Sequence, residues 1–323
     1  GTTTACYYAT LHLEASKILA QLCHEKGQRA FVGKCQMDRN SPEEYREESA
    51  EQSLEDTREF IGYCGQLAES SASAVGKGKL VNGDALGGDL EQAIVQPILT
   101  PRFAISCSDT LLKGISNLHS KLSPSHPLRI QTHLSENPSE IVFTKQLFPF
   151  ADSYTAVYDH FSLLTPRTVL AHCVHLEQEE IDLIKARGCG VSHCPTSNIN
   201  LRSGNCPVGE LLNQGVKVGL GTDVSGGYGI SILSAIRETS VVAKVVNFAN
   251  RDIQSLIPAA NSESSAAKQE GHDYTRGPLP IATLFYLATL GGAQVCAIDD
   301  RTGSLEPGKV RHNLPHIPLQ VSF

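Results

Sequence analysis

The sequence predicts an α/β fold, a (β/α)8 barrel of the TIM type that is one strand short. Three observations point there. Short apolar runs alternate with helical stretches along most of the chain. The runs are continuously apolar rather than alternating, as parallel strands covered on both faces are. Polar residues collect at the C-terminal ends of the runs, where barrel enzymes place their active sites. Seven such runs interleaved with helices fit neither a sandwich nor a bundle.

The elements follow in order. "GTTTACYYAT" (1–10) reads as a strand, and "LEASKILAQLCHEKG" as a helix closed by Gly27. "QRAFVGKCQMD" (28–38) is the next strand. A helix is expected over 41–67, with Ser41 as N-cap, Pro42 at the first helical position and acids in the first turn. Further strands are expected in "AIVQPILTPRF" (93–103), "LRIQTHLSE" (128–136), "TVLAHCVHL" (168–176), "GCGVSHCPTSN" (188–198) and "VKVGLGTDVSGG" (216–227). Most lead into a helical stretch, such as "QEEIDLIKARG" (178–188). Two stretches break the rhythm, 68–90 and 259–278. They are rich in Ser, Gly and Ala, and read as flexible surface insertions.

Composition bounds the function. The 323 residues are 41% hydrophobic and 19% charged, ordinary for a globular protein with a large core. A net charge of -7 argues against a nucleic-acid partner. No run of ~18 apolar residues suggests a membrane span, and Gly1 opens directly on strand-like sequence with no signal peptide. The ten cysteines are irregularly spaced and several lie in apolar runs, such as Cys173 and Cys194. They read as reduced, buried thiols of a cytoplasmic protein rather than a disulfide frame.

The strand ends carry the chemistry. In order they offer Arg102-Phe103, His133 with Glu136 three residues on, His172, His193 through Asn198, and Asp223. A lone histidine at a strand end is more often a structural hydrogen-bonder. In a barrel, however, His133, His172 and Asp223 converge on one mouth, with Glu136 beside them as a proton carrier. That set suggests a metal hydrolase. Zinc takes nitrogen and oxygen ligands and lets water ionise near neutral pH. Asp223 could ligate it and take a proton, Glu136 could protonate a ring nitrogen and the leaving amine, and His172 could assist the attacking oxygen. Two H-x-E sequences, His12–Glu14 and His175–Glu177, evoke the cytidine-deaminase zinc motif. They open predicted helices, and the chain has no C-x-x-C to complete that motif.

Several stretches, "TPRFAISCS", "THLSEN", "AHCVHL", "HCPTSN", "GLGTDVSGGY" and "LATLGGAQ", make the chain resemble the amidohydrolase superfamily from Gly1 to about Lys309. "TPRF" together with "KCQMDRN" is similar to its guanine deaminase branch. The resemblance implies hydrolytic deamination of guanine to xanthine and ammonia on one zinc ion per subunit, in purine catabolism, by a homodimeric protein. It implies His133 and Asp223 as zinc ligands, Glu136 as proton shuttle and His172 as an aid to water and substrate. Arg102 and Phe103 match the guanine-contacting pair, since Arg offers a fork of donors and Phe a stacking face. A surface charge beside a core aromatic is the plainer reading of that pair, and for His193 a structural role is the plainer one.

The chain also departs from the branch. The family takes two further zinc ligands from an H-x-H pair at its first barrel strand, and no H-x-H occurs among the twelve histidines. The chain reads as starting at the second strand, so strand one and most of the accessory β-sandwich are expected to be missing. Residues 1–298 would form the incomplete barrel, and 299–323 a remnant of the sandwich segment with an atypical tail. His312 and His316 flank Pro315, which argues against replacement ligands on a helix. With only two ligands, the 323 residues alone are expected to bind zinc weakly and deaminate guanine poorly. Another aminohydrolase of this type, acting on a pterin, triazine or cytosine, and a non-catalytic remnant with an interaction role are the alternatives.

Overall fold

The computed structural model describes residues 1–74, 90–124, 126–249 and 272–310. Its centre is a parallel sheet in the order β1-β2-β4-β5-β6-β7-β8, with β3 pairing on β4. The strands are β1 (Thr4–Tyr8), β2 (Arg29–Gly33), β3 (Cys35–Gln36), β4 (Val95–Pro101), β5 (Arg129–Leu134), β6 (Thr168–His172), β7 (Gly190–His193) and β8 (Lys217–Leu220). Among the described residues no pairing joins β1 to β8, so the sheet is a curled open wall. This is the expected α/β architecture one strand short of closure.

Helices follow the strands and cover the sheet: α1 (Leu13–Glu25), α2 (Ala50–Ala74), α3 (Asp109–Leu122), α4 (Pro138–Leu147), α5 (Tyr154–His160), α6 (Gln178–Arg187), α7 (Pro195–Asn200), α8 (Val208–Asn213) and α9 (Ile232–Ala249). Two short ones, α10 (Ile281–Tyr286) and α11 (Gly292–Val295), end the series. Helix α3 buries Leu111, Leu112, Ile115 and Leu118 against the sheet, a stripe at helical spacing. Its start is fixed by Ser108, whose hydroxyl accepts from the Leu111 amide at 3.1 Å. All ten cysteines are free, and all but Cys6 and Cys296 are buried.

One helix begins elsewhere than expected. Residues 43–45 make a single short turn, and α2 starts at Ala50. Glu47 is the cause. Its carboxylate pairs with the buried Lys34 ammonium and accepts from the Met37 amide at 2.9 Å. That pulls Arg46 into extended backbone and leaves Ser49, not Ser41, to accept from the Gln52 amide at 3.1 Å. The expected strand 28–38 also divides, into β2 and β3 around Lys34.

The two insertions lie partly outside the described residues, which omit 75–89 and 250–271. Residues up to Ala74 continue α2. Near the second, Asp273 accepts from Asn213, at 2.8 Å, and from the Thr275 amide, at 3.0 Å. The tail with His312 and His316 lies outside the described residues.

A buried arginine ties the turn after α11 to the sheet. Arg129 on β5 donates to Gln96 at 2.8 Å and to the carbonyls of Cys296 and Ala297 at 2.6 and 2.9 Å, over the Phe31 ring. A buried cation is tolerated when its donors are filled in this way. No helix among the described residues is long and apolar enough to cross a membrane.

Candidate active site

Parallel pairing sets the site. Register aligns His133 with Ala171 and Leu134 with His172 across β5 and β6, and His193 with Leu220 across β7 and β8. The strand ends therefore open on one rim. At that rim His172 and Asp223 adopt left-handed backbone, φ 72° and 45°, as does Ser135 at 47°. Such conformations are uncommon for residues other than glycine, and they concentrate at functional sites. Here they turn the chain so that the side chains face inward. The "GTDVSGG" turn needs glycine at 227, because a Cβ there would overlap the Thr222 carbonyl and the Thr196 hydroxyl.

Ligand-type atoms of His133, His172 and Asp223 lie within 4.8 Å of one another. The Nε2 atom of His172 is 4.0 Å from Asp223 Oδ2 and 3.7 Å from Glu136 Oε2. The two imidazoles stack at 5.2 Å with 21° between their planes. Each ring has its other nitrogen committed. His133 Nδ1 donates to the Arg102 carbonyl at 2.6 Å, and His172 Nδ1 to Asn198 Oδ1 at 2.8 Å. Both Nε2 atoms are thus left as lone-pair donors, the arrangement typical of metal-binding histidines. Burial and the neighbouring His172 push the His133 pKa down to about 4, so its ring is neutral near pH 7, as a ligand must be. Two imidazole nitrogens and a carboxylate oxygen match in kind and number the protein ligands of catalytic zinc sites, so these residues fit a zinc ion.

His172 was expected beside the metal rather than on it. The structure places its Nε2 beside Asp223 and Glu136, within the same cluster of donor-type atoms as His133.

Glu136 lies on the wall next to the cluster. Its Oε1 accepts from Ser203 Oγ at 2.8 Å. Helix α4 begins just beyond it, with Asn137 and Glu140 forming a reciprocal capping box. A cavity of about 480 Å³ opens here, lined by Arg102, Phe103, His133, Glu136 and Phe143 among others. That volume suits a small heterocycle. The Arg102 guanidinium lies 5.6 Å from the Phe103 ring centre, and the Phe103 ring lies 6.2 Å from that of His133. Both residues of the expected substrate-contacting pair thus share a cavity with the histidine and the glutamate.

His193 does not join the cluster. It is fully buried, neither ring nitrogen has a partner among the described residues, and burial pushes its pKa down to about 3. The two H-x-E sequences also stay out, with His12 and Glu177 flanking the starts of α1 and α6.

Three supporting residues had no signal in the sequence beyond their type. Tyr158 on α5 donates to the His133 carbonyl at 2.9 Å and accepts from the Ala104 amide at 2.9 Å. Asn198 lies within the quoted "HCPTSN" stretch, but nothing there showed its partner. Ser203 lies in the segment that follows.

The amidohydrolase family profile matches residues 1–310. A probable guanine deaminase of Schizosaccharomyces pombe is 44% identical over 309 residues, covering 96% of this chain and 50% of that protein. The guanine deaminase of Dictyostelium discoideum is 44% identical over 312 residues, covering 96% of this chain and 57% of that protein. Among solved structures, a guanine deaminase from C. acetobutylicum with guanine in its active site superposes with a TM-score of 0.74 at 33% identity, covering 95% of this chain and 60% of that one. The chain spans about half the length of the curated relatives it matches.

Proposed function

Because the chain belongs to the amidohydrolase family, we propose that it carries the site of a zinc-dependent guanine deaminase that converts guanine and water to xanthine and ammonia. The observation that supports this most is the cluster of His133, His172 and Asp223 within 4.8 Å, of which His133 also lines the cavity with Glu136 and the Arg102-Phe103 pair. The relatives named for this reaction support the choice of guanine over a pterin, triazine or cytosine.

In this reading His133, His172 and Asp223 hold the zinc ion. When bound, zinc supplies a fixed positive charge that lets water ionise near neutral pH and offsets negative charge developing on the substrate. The remaining steps belong to side chains of this chain. Phe103 offers an apolar face to the purine, and the Arg102 guanidinium donates to purine acceptors. Asp223 takes a proton from the attacking water. Glu136 delivers one proton to a ring nitrogen and then relays the proton held by Asp223 to the exocyclic amine, which leaves as ammonia, while the hydroxyl proton freed as the carbonyl forms restores Glu136. The cavity, lined by His133 and Glu136, holds the amidine carbon near the Glu136 carboxylate, which converts encounter into orientation. Ten free, mostly buried cysteines agree with a reducing compartment, and we assign the protein to the cytoplasm.

Guanine loss and xanthine formation by the zinc-loaded chain, followed by ultraviolet absorbance against a panel of pterin, triazine and cytosine substrates, test the proposal. Turnover of guanine above all others is expected. A chain that binds zinc and prefers another heterocycle would overturn the substrate assignment.

A further inference from the structure

Four residues close a ring around the site, Glu136, His172, Asn198 and Ser203, through three side-chain contacts and one backbone hydrogen bond. His172 Nδ1 meets Asn198 Oδ1 at 2.8 Å. The Asn198 carbonyl accepts from the Ser203 amide at 2.8 Å. The Ser203 hydroxyl donates to Glu136 Oε1 at 2.8 Å, and Glu136 Oε2 faces His172 Nε2 at 3.7 Å. From these contacts we infer that the segment Asn198–Ser203 is the positioning element of the site, with Asn198 holding His172 as the Nδ1-protonated tautomer and Ser203 holding the Glu136 carboxylate toward it.

Neither residue needs to touch substrate to do this. With its side-chain oxygen facing the ring, Asn198 can only accept, and in the inferred arrangement the His172 proton sits on Nδ1. Nε2 then presents a lone pair to the space between Glu136 Oε2 and Asp223 Oδ2. That lone pair has two carboxylate oxygens near it, Glu136 Oε2 at 3.7 Å and Asp223 Oδ2 at 4.0 Å, and acceptors so placed are satisfied by a proton or a cation between them. With the opposite tautomer, Nε2–H would spend itself on a carboxylate and the histidine would be lost as a ligand.

The segment is itself held from both sides. Pro195 opens α7 at its first position, and Asn198 and Ser203 are buried, at 1% and 3% exposure. His175 Nε2 donates to the Ser203 carbonyl at 2.6 Å. A buried amide is a poor choice for helix stability or packing alone. Its Nδ2 has no partner among the described residues, and an apolar residue there would leave no donor to satisfy. The positional role accounts for its presence. The catalytic consequence rests on the zinc-aminohydrolase reading, whereas the positioning rests on the hydrogen bonds.

The test uses the full chain labelled with 15N in histidine and 13C at the glutamate carboxyl, with His172 and Glu136 assigned by loss of signal in His172→Asn and Glu136→Gln. The expected result is a His172 proton on Nδ1 in the wild type and in Asn198→Asp, and a shift toward Nε2 in Asn198→Leu. Ser203→Ala should move the Glu136 carboxyl resonance, and Ser203→Thr should return it. A wild-type proton on Nε2, or variants without effect on either signal, would overturn the inference. Guanine kinetics supply the second arm. Ser203→Ala should lower kcat by about 10- to 100-fold with little change in KM, the size seen when a supporting hydrogen bond is removed, and Ser203→Thr should restore most of it. A wild-type chain that shows both resonance signatures yet no guanine turnover supports the positioning and overturns the proposed substrate.

Discussion

Tyr158→Phe removes one oxygen from the core and is expected to disturb both stability and the site. The phenol is fully buried and serves three partners. It donates to the His133 carbonyl at 2.9 Å, accepts from the Ala104 amide at 2.9 Å and shares a hydrogen bond with Thr132 Oγ1 at 2.8 Å. It thus bolts the end of β5 to the segment after Arg102, whose carbonyl in turn orients His133. Phenylalanine keeps the packing and leaves a buried amide and a buried carbonyl without that partner. An orphaned buried group costs about 1–3 kcal/mol, so two should cost about 2–6 kcal/mol. Urea unfolding followed by circular dichroism measures it, with the midpoint falling and the m-value unchanged. Thr132→Val, which removes one hydroxyl, should cost less than Tyr158→Phe. A Tyr158→Phe loss below about 0.5 kcal/mol, the range of a neutral surface change, would refute the claim that this hydroxyl joins the two strand ends.

Three further outcomes follow from the site. Glu136→Gln keeps shape and removes the carried proton, so kcat for guanine should fall by about 100- to 10,000-fold, while zinc content measured by atomic absorption stays that of the wild type. Arg102→Met should raise KM for guanine by about tenfold or more, since a charged donor fork is lost; steady-state kinetics in which only kcat changes would contradict a binding role. Burial depresses the His193 pKa from 6.5 to about 3, so the folded state keeps this ring neutral while the unfolded chain takes up a proton. Stability from this group is therefore intact above pH 6.5 and declines as pH falls from there toward about 3, by about 1.4 kcal/mol per pH unit. His193→Gln should flatten the acid limb of a stability–pH curve, and an unchanged slope would show that the ring is not held neutral.

Much of this was legible in the sequence. Parallel strands buried on two faces write themselves as unbroken apolar runs, and β4 through β8 stand where those runs predicted. The residues at the run ends meet because parallel register makes strand ends coincide, which needs no knowledge of side-chain contacts. The start of α2 was not legible. Ser41-Pro42 is a sound local signal, and it lost to a tertiary one, the burial of Glu47 against Lys34. The supporting residues were equally hidden. Tyr158, Asn198 and Ser203 act across separations of 25, 26 and 67 residues, and a single sequence carries no trace of such pairings.

A zinc-binding isotherm on the purified chain, read against a competing chelator, tests the central claim most directly. The account predicts one zinc site per chain, weak because no H-x-H pair is among its residues, with affinity falling further, by at least about 100-fold, in each of His133→Ala, His172→Ala and Asp223→Ala, since each removes a direct ligand rather than a supporting contact. A wild-type chain that takes up no zinc, or one whose zinc survives all three substitutions, would contradict it.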